Sequence, residues 1–175
     1  MKLPSSRGPV SATLVEALAN WPLLGPKQAS VLLVASERFA RRDWVSSGFI
    51  VATTFEAVVR SLMRASGYPA LKSEASGILM DETLPSLLQR DAVRAALGKD
   101  YVWFAEHVFC RPDIGLNVRN DIAHGNVGAD DFTATRVLLM WILLLRVTCF
   151  VPATGTAAGK AAEVEEPADA EQSES

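Results

Sequence analysis

Histidine and cysteine are scarce in this chain, with two of each among 175 residues. Cys110 and Cys149 lie far apart and no metal-ligand spacing surrounds them, so neither a metal site nor a disulfide framework is expected. Both thiols are read as reduced and buried, and no cofactor is implied. Residues 1–9 carry no apolar stretch behind their charges, which excludes an ordinary secretory signal. The longest wholly apolar run, residues 137–145, is nine residues, well short of the ~20 that cross a bilayer as a helix. A cytoplasmic protein without a membrane contact is therefore expected. Strand signals are few, and no internal repeat is evident.

What remains is a chain with 49% hydrophobic residues, long enough for one domain with a substantial core. Its net charge of -3 is unevenly spread, because residues 153–175 set Lys160 against Glu163, Glu165, Glu166, Asp169, Glu171 and Glu174. Without that stretch the body carries +2. The tail lacks aromatic residues and is rich in Ala and Glu, so it buries too little to offset the entropy of ordering. A single helical domain over residues 1–152 and a disordered acidic tail over 153–175 are the expected organisation. The tail either solubilises the chain or competes with a nucleic acid for basic groups.

Helical periodicity dominates, and the fold class read from it is all-α. Ser11 can cap a helix to about Trp21, with Leu14, Val15, Leu18 and Trp21 on one face and Pro22 ending it. A second helix starts after Pro26 and runs toward Arg41, and Asp43 has the position of the next N-cap. From Trp44 to about Ser66 the apolar positions Phe49, Ala52, Phe55, Val59, Leu62 and Met63 form one broad stripe, with Gly67 as the stop. Gly77-Ile78-Leu79-Met80 suggests an extended piece, residues 84–97 one helix or two short ones, and residues 100–110 another. Arg111-Pro112-Asp113-Ile114-Gly115 is turn chemistry, and Asn117 is the expected cap of a short helix ending at Gly125. Asp130 or Asp131 can cap a final helix to about Phe150. That helix is apolar on every face over residues 137–145, which points to burial at the centre of a bundle or in a subunit interface.

The one chemically informative segment is Arg119-Asn120-Asp121-Ile122-Ala123-His124. Arg119 and His124 stand five positions apart, about one and a half helical turns and roughly 7 to 8 Å along the axis, so both can face one cavity. Alone, an Arg followed at this interval by His is a weak pattern. The words around it add to it. Pro112-Asp113-Ile114-Gly115-Leu116-Asn117-Val118-Arg119-Asn120-Asp121-Ile122-Ala123-His124-Gly125 resembles a bacterial HEPN-like domain of unknown function with a Gly-Leu-Asn-Leu-Arg-Asn-x-x-Ala-His-Gly stretch, Val118 being the one conservative departure. Arg119, the polar Asn120 and His124 look like the signature of HEPN-superfamily ribonucleases. The similarity extends over about residues 44–146.

This resemblance implies a HEPN-like helical bundle with a long buried C-terminal helix, forming a homodimer in which two motifs meet in a composite RNA site. It implies metal-independent endoribonuclease chemistry, with His124 as general base on a ribose 2′-hydroxyl, Arg119 stabilising the phosphoryl charge and Asn120 orienting one of these groups. A toxin or defence effector held in check by an antitoxin-like partner fits that class. So does a non-catalytic dimeric RNA-binding or interaction module of the same fold.

Structural explanations stand beside these. His124 before Gly125 is also an ordinary helix end, and Arg119 can pair with Asp121 or another carboxylate inside the bundle. Glu56 and Arg60 have the spacing of a helical ion pair; alternatively Glu56 faces Arg119 and orients it. His107, beside Glu106, reads as a surface or satisfied interior histidine. Arg38, Arg41, Arg42, Arg60, Arg64, Arg90 and Arg94 either share a face that tracks a phosphate backbone or are scattered solvated charges.

Overall fold

Pro26 opens its helix, the first whose bounds are described, for a local reason: a proline in the first turn gives up an N–H that has no partner there anyway. In the computed structural model, which describes residues 20–68, 70–73 and 79–150 together with Glu16 and Leu18, that helix is α1 (Pro26–Ala40). Arg42 adopts a left-handed backbone (φ 61°) to turn the chain. Asp43 then caps α2 (Trp44–Ala65) by accepting from the Ser46 amide at 3.1 Å, as its position suggests. The helix expected over residues 11–21 lies largely outside the described residues, and the acidic tail lies wholly outside them. Leu18 and Trp21 are described and are buried, Trp21 Nε1 donating to the Phe150 carbonyl at 3.2 Å.

Helix α2 is the axis of the molecule. It buries Val51, Ala52, Phe55, Val58, Val59, Leu62 and Met63 and packs against α1 and the last helix. Beyond the left-handed Gly67 (φ 80°), β1 (Leu71–Ser73) pairs antiparallel with β2 (Leu79–Asp81), Lys72 opposite Met80. The molecule is thus mostly helical, and this short ladder is its one sheet among the described residues. Helices α3 (Leu84–Gln89) and α4 (Asp91–Leu97) are two pieces because Arg90 is extended (ψ 135°). Helix α5 (Lys99–Phe109) stacks Phe109 on Phe55 at 4.3 Å, and its Tyr101 hydroxyl donates to the Leu143 carbonyl at 2.7 Å. Burial raises that phenol's pKa well above its ordinary value.

The short α6 (Val118–His124) follows, then a 3₁₀ turn (Ala129–Asp131) and α7 (Ala134–Thr148). Three features of the structure differ from the sequence expectation. Thr133 caps α7 through the Arg136 amide, because Asp131 is already turned back to accept from the Gly128 amide. Helix α7 is not at an enclosed bundle centre, the first of its two expected settings: Val137, Met140, Trp141, Leu143, Leu144 and Val147 are buried, whereas Leu138 (47%) and Ile142 (48%) are exposed in the single chain, a face that the second setting, a subunit interface, would cover. Cys110 is half-buried as a thiol, but Cys149 is exposed at the end of α7; neither is in a disulfide.

Candidate functional site

The loop before α6 is pinned to the end of α5. The Leu116 amide donates to the His107 carbonyl at 2.8 Å, and a Cβ on Gly115 would sit 2.2 Å from that oxygen, so only glycine passes there. Arg111 grips Asp113 with Nε and Nη2 (2.9 and 2.7 Å), holding that carboxyl well below the usual carboxylate range. Asn117 stands at the N-cap position as expected, but in a left-handed conformation (φ 50°) that prevents side-chain capping. Its amide instead donates to Asp121 Oδ1 at 2.9 Å, and its Oδ1 accepts from Asn120 Nδ2 at 2.9 Å. Buried Val118 anchors α6 below. Gly125 (φ 71°) ends it, with the Asn126 amide returning to the Asp121 carbonyl at 2.8 Å.

Arg119 reaches across to α2. Its Nε donates to Glu56 Oε2 at 3.1 Å, its Nη2 lies 3.0 Å from the same oxygen, and its Nη1 donates to Asn120 Oδ1 at 3.3 Å. The other Glu56 oxygen accepts from Arg60 Nη2 at 2.8 Å, so one carboxylate bridges two guanidiniums. Arg60 Nη2 also donates to the Glu82 carbonyl at 2.8 Å. The buried Glu82 carboxylate is gripped in turn by Arg90, Nε to Oε2 at 2.9 Å and Nη2 to Oε1, which raises the Arg90 pKa. Asn120 Nδ2 also contacts the Cys110 carbonyl at 3.4 Å. Burial pushes the Cys110 thiol up to about 12 despite the nearby Arg119 charge, so it is no nucleophile near neutral pH.

The structure therefore joins Arg119 and Asn120 to each other and to Glu56, and places His124 apart from them. Five helical positions leave two side chains about 140° apart around the axis, and no hydrogen bond links Arg119 to His124. His124 is exposed at the last turn, with no hydrogen bond or ion pair among the described residues. Nor does a shared cavity enclose the pair: a cavity of about 140 Å³ lies on the other side of α6, lined by Leu116, Val118, Asp121, Val127, Phe132 and Arg136 among others. Arg119 keeps 28% side-chain exposure and Glu56 16%. Two of the five guanidinium N–H groups, on Nε and Nη1, donate hydrogen bonds and Nη2 adds an ion-pair contact, which leaves N–H groups on both Nη atoms for an outside acceptor. Among the described residues no group of three or more His, Cys, Asp or Glu is placed to hold a metal ion.

Of the sequence alternatives, both Glu56 contacts are observed within the one chain: the pairing with Arg119 and the Glu56–Arg60 pair. His107 stacks on Trp103 at 5.5 Å, and its buried Nδ1 has no hydrogen-bond partner among the described residues, so it is neither the surface nor the satisfied interior histidine expected. The basic residues do not form one free face: Arg38, Arg64 and Arg90 are each paired with a carboxylate. No family model, curated protein or solved structure matches the chain.

Proposed function

We propose that this chain is a HEPN-like helical bundle acting as a homodimeric, metal-independent endoribonuclease on RNA. The observation that carries the reading is the mounting of Arg119. Its Nε edge is tethered by Glu56 and its Nη1 by Asn120, which fixes the plane of an always-charged fork while N–H groups on Nη1 and Nη2 remain for phosphoryl oxygens. His124, on the same short helix, is solvent-accessible, and imidazole is the side chain that titrates nearest neutrality.

In the reaction, His124 takes the proton of a ribose 2′-hydroxyl and the 2′-oxygen bonds to the adjacent phosphorus. The P–O5′ bond breaks, and the departing 5′-oxygen takes up a proton from an imidazolium or water. Arg119 meets the charge that develops on the phosphoryl oxygens. The 140° separation of the two side chains on α6 is answered by dimerisation, in which an imidazole of one protomer faces a guanidinium of the other.

Pure protein incubated with structured and single-stranded RNA in EDTA tests this. Wild type is expected to cut RNA and leave DNA, which lacks the 2′-hydroxyl, with His124→Ala slower by about 10²-fold or more. No cutting by wild type, or equal cutting by His124→Ala, removes the enzymatic claim. A toxin or defence role, with an antitoxin-like regulator, further requires that expression arrest growth and that His124→Ala relieve it.

A second reading is favoured by the Arg119–Glu56 pair itself, which ties α6 to α2 as a structural ion pair would. In that case the domain is a non-catalytic dimeric RNA-binding or interaction module. Arg119→Ala then lowers thermal stability while RNA binding survives.

A further inference from the structure

Along α2, Phe49, Thr53, Glu56 and Arg60 recur at helical spacing and form one stripe on the side turned away from the core. Thr53, Glu56 and Arg60 are what such a stripe ordinarily holds; Phe49, with 37% of its surface exposed, is not. Its ring is seated on Phe132, centroids 4.8 Å apart with planes 30° from parallel. Phe132 is itself buried and presses on Gly48 so closely that a Cβ there would stand 2.4 Å from its Cδ1. The ring of Phe49 is thus supported from behind, with its outer part open. Seven residues on, about 10 Å along the axis, Glu56 holds Arg119.

We propose that Phe49 is a stacking platform for an unpaired RNA base close to the phosphate that Arg119 engages, so that the substrate is single-stranded or looped RNA. The inference rests on the ribonuclease reading and adds the substrate's form. Two features choose a nucleobase over a protein side chain. The stripe offers a single aromatic face among polar residues, whereas a docked helix needs several apolar anchors in a row. Toward the C-terminal end of α2, Arg60, Arg64 and Arg119 pair with only Glu56 and Asp81, an excess of one positive charge that suits a polyanion. Aromatic stacking of this kind is sequence-tolerant and adds to phosphate contacts.

The experiment uses the full chain and short single-stranded RNAs on an uncleavable 2′-O-methyl backbone, with 2-aminopurine placed at each position in turn. Wild type is expected to quench the fluorophore at one position on binding. Phe49→Trp keeps quenching and affinity, and Phe49→Ala binds about ten-fold more weakly without quenching. Because Phe49→Ala removes packing against Phe132, Phe49→Leu serves as the control for folding: it retains apolar volume but has no π-face. Loss of quenching in Phe49→Leu at an unchanged melting temperature supports the platform. Wild-type quenching and affinity in Phe49→Leu overturn it while leaving the ribonuclease reading intact. So does a Phe49→Leu protein that binds RNA normally but no longer dimerises, which makes the ring a protein contact. If wild type binds none of these RNAs yet cuts RNA, the platform alone fails; if it neither binds nor cuts, both readings fail together.

Discussion

Glu56 meets one guanidinium with each of its oxygens, and so the consequences of removing it differ from those of removing His124. In Glu56→Gln the shape is kept but Arg60 and Arg119 face each other with no intervening charge. Half-buried charged hydrogen bonds of this kind contribute about 1–3 kcal/mol, and the freed guanidiniums add repulsion. Chemical denaturation is expected to show a loss of that size, accompanied by reduced RNA cleavage because Arg119 loses its tether. His124 is exposed and unpaired among the described residues, so His124→Ala should stay within about 0.5 kcal/mol of wild type in the same measurement while losing activity. A His124→Ala protein that is strongly destabilised would make this residue a structural helix end. The sequence made Arg119, Asn120 and His124 legible as candidates through their order and their neighbours. It left the Glu56 partnership as one alternative, since a contact across 63 residues depends on how α6 lands on α2. Phe49 was read as part of a buried stripe. Its partial exposure follows from its place at the edge of that stripe, over Phe132 rather than under it.

Elements whose ends are written in local chemistry were the readable ones. Asp43 before Trp44, Gly67 after Ala65 and Gly125 after His124 mark helix ends where capping and left-handed closure require them. Where two polar residues compete for one role, local reading was insufficient: Asn117 bonds Asp121 and Asn120 instead of capping, and Thr133 caps in place of Asp130 or Asp131. The Asp43 cap has a pH signature. The Ser46 amide, with lesser help from Arg38, holds the Asp43 carboxyl below its ordinary 3.8. A depressed carboxyl stabilises the fold above its unfolded pKa of about 3.9, and that contribution fades as the pH falls through the lower folded value. Asp43→Asn retains an acceptor for the cap but cannot titrate. Melting curves from pH 6 downward are therefore expected to converge for wild type and Asp43→Asn in acid, with wild type the more stable near neutrality. Asp43→Ala should melt lowest near neutrality. Curves for wild type and Asp43→Asn that keep a constant offset across this range would show that the carboxylate charge contributes nothing to α2.

At the scale of the whole molecule, α7 shows where composition misleads. An all-apolar run suggests a bundle centre or a subunit interface, and within one chain only the face toward α2 and α5 is covered, with Leu138 and Ile142 exposed among the described residues, so the bundle centre is not the setting observed. Periodicity cannot tell such a face from a core face when both are leucine and isoleucine. The same geometry bears on the proposed dimer, because one protomer's α6 directs Arg119 to α2 and leaves His124 exposed without a bond between them. On the ribonuclease reading, a site that needs both groups is completed by a second copy. If so, wild-type activity depends on dimer concentration, and an inactive chain is a poison. Titrating a fixed amount of wild type with rising His124→Ala chain, after mixing long enough for exchange, is expected to lower RNA cleavage per wild-type chain as mixed dimers replace wild-type ones. Sedimentation should place the wild-type species at twice the 18.9 kDa of the chain, and specific activity should fall on dilution through the dissociation range. If cleavage per wild-type chain is indifferent to both the inactive chain and dilution, each protomer works alone, and Arg119 and His124 must then be brought together within one chain by some movement of α6.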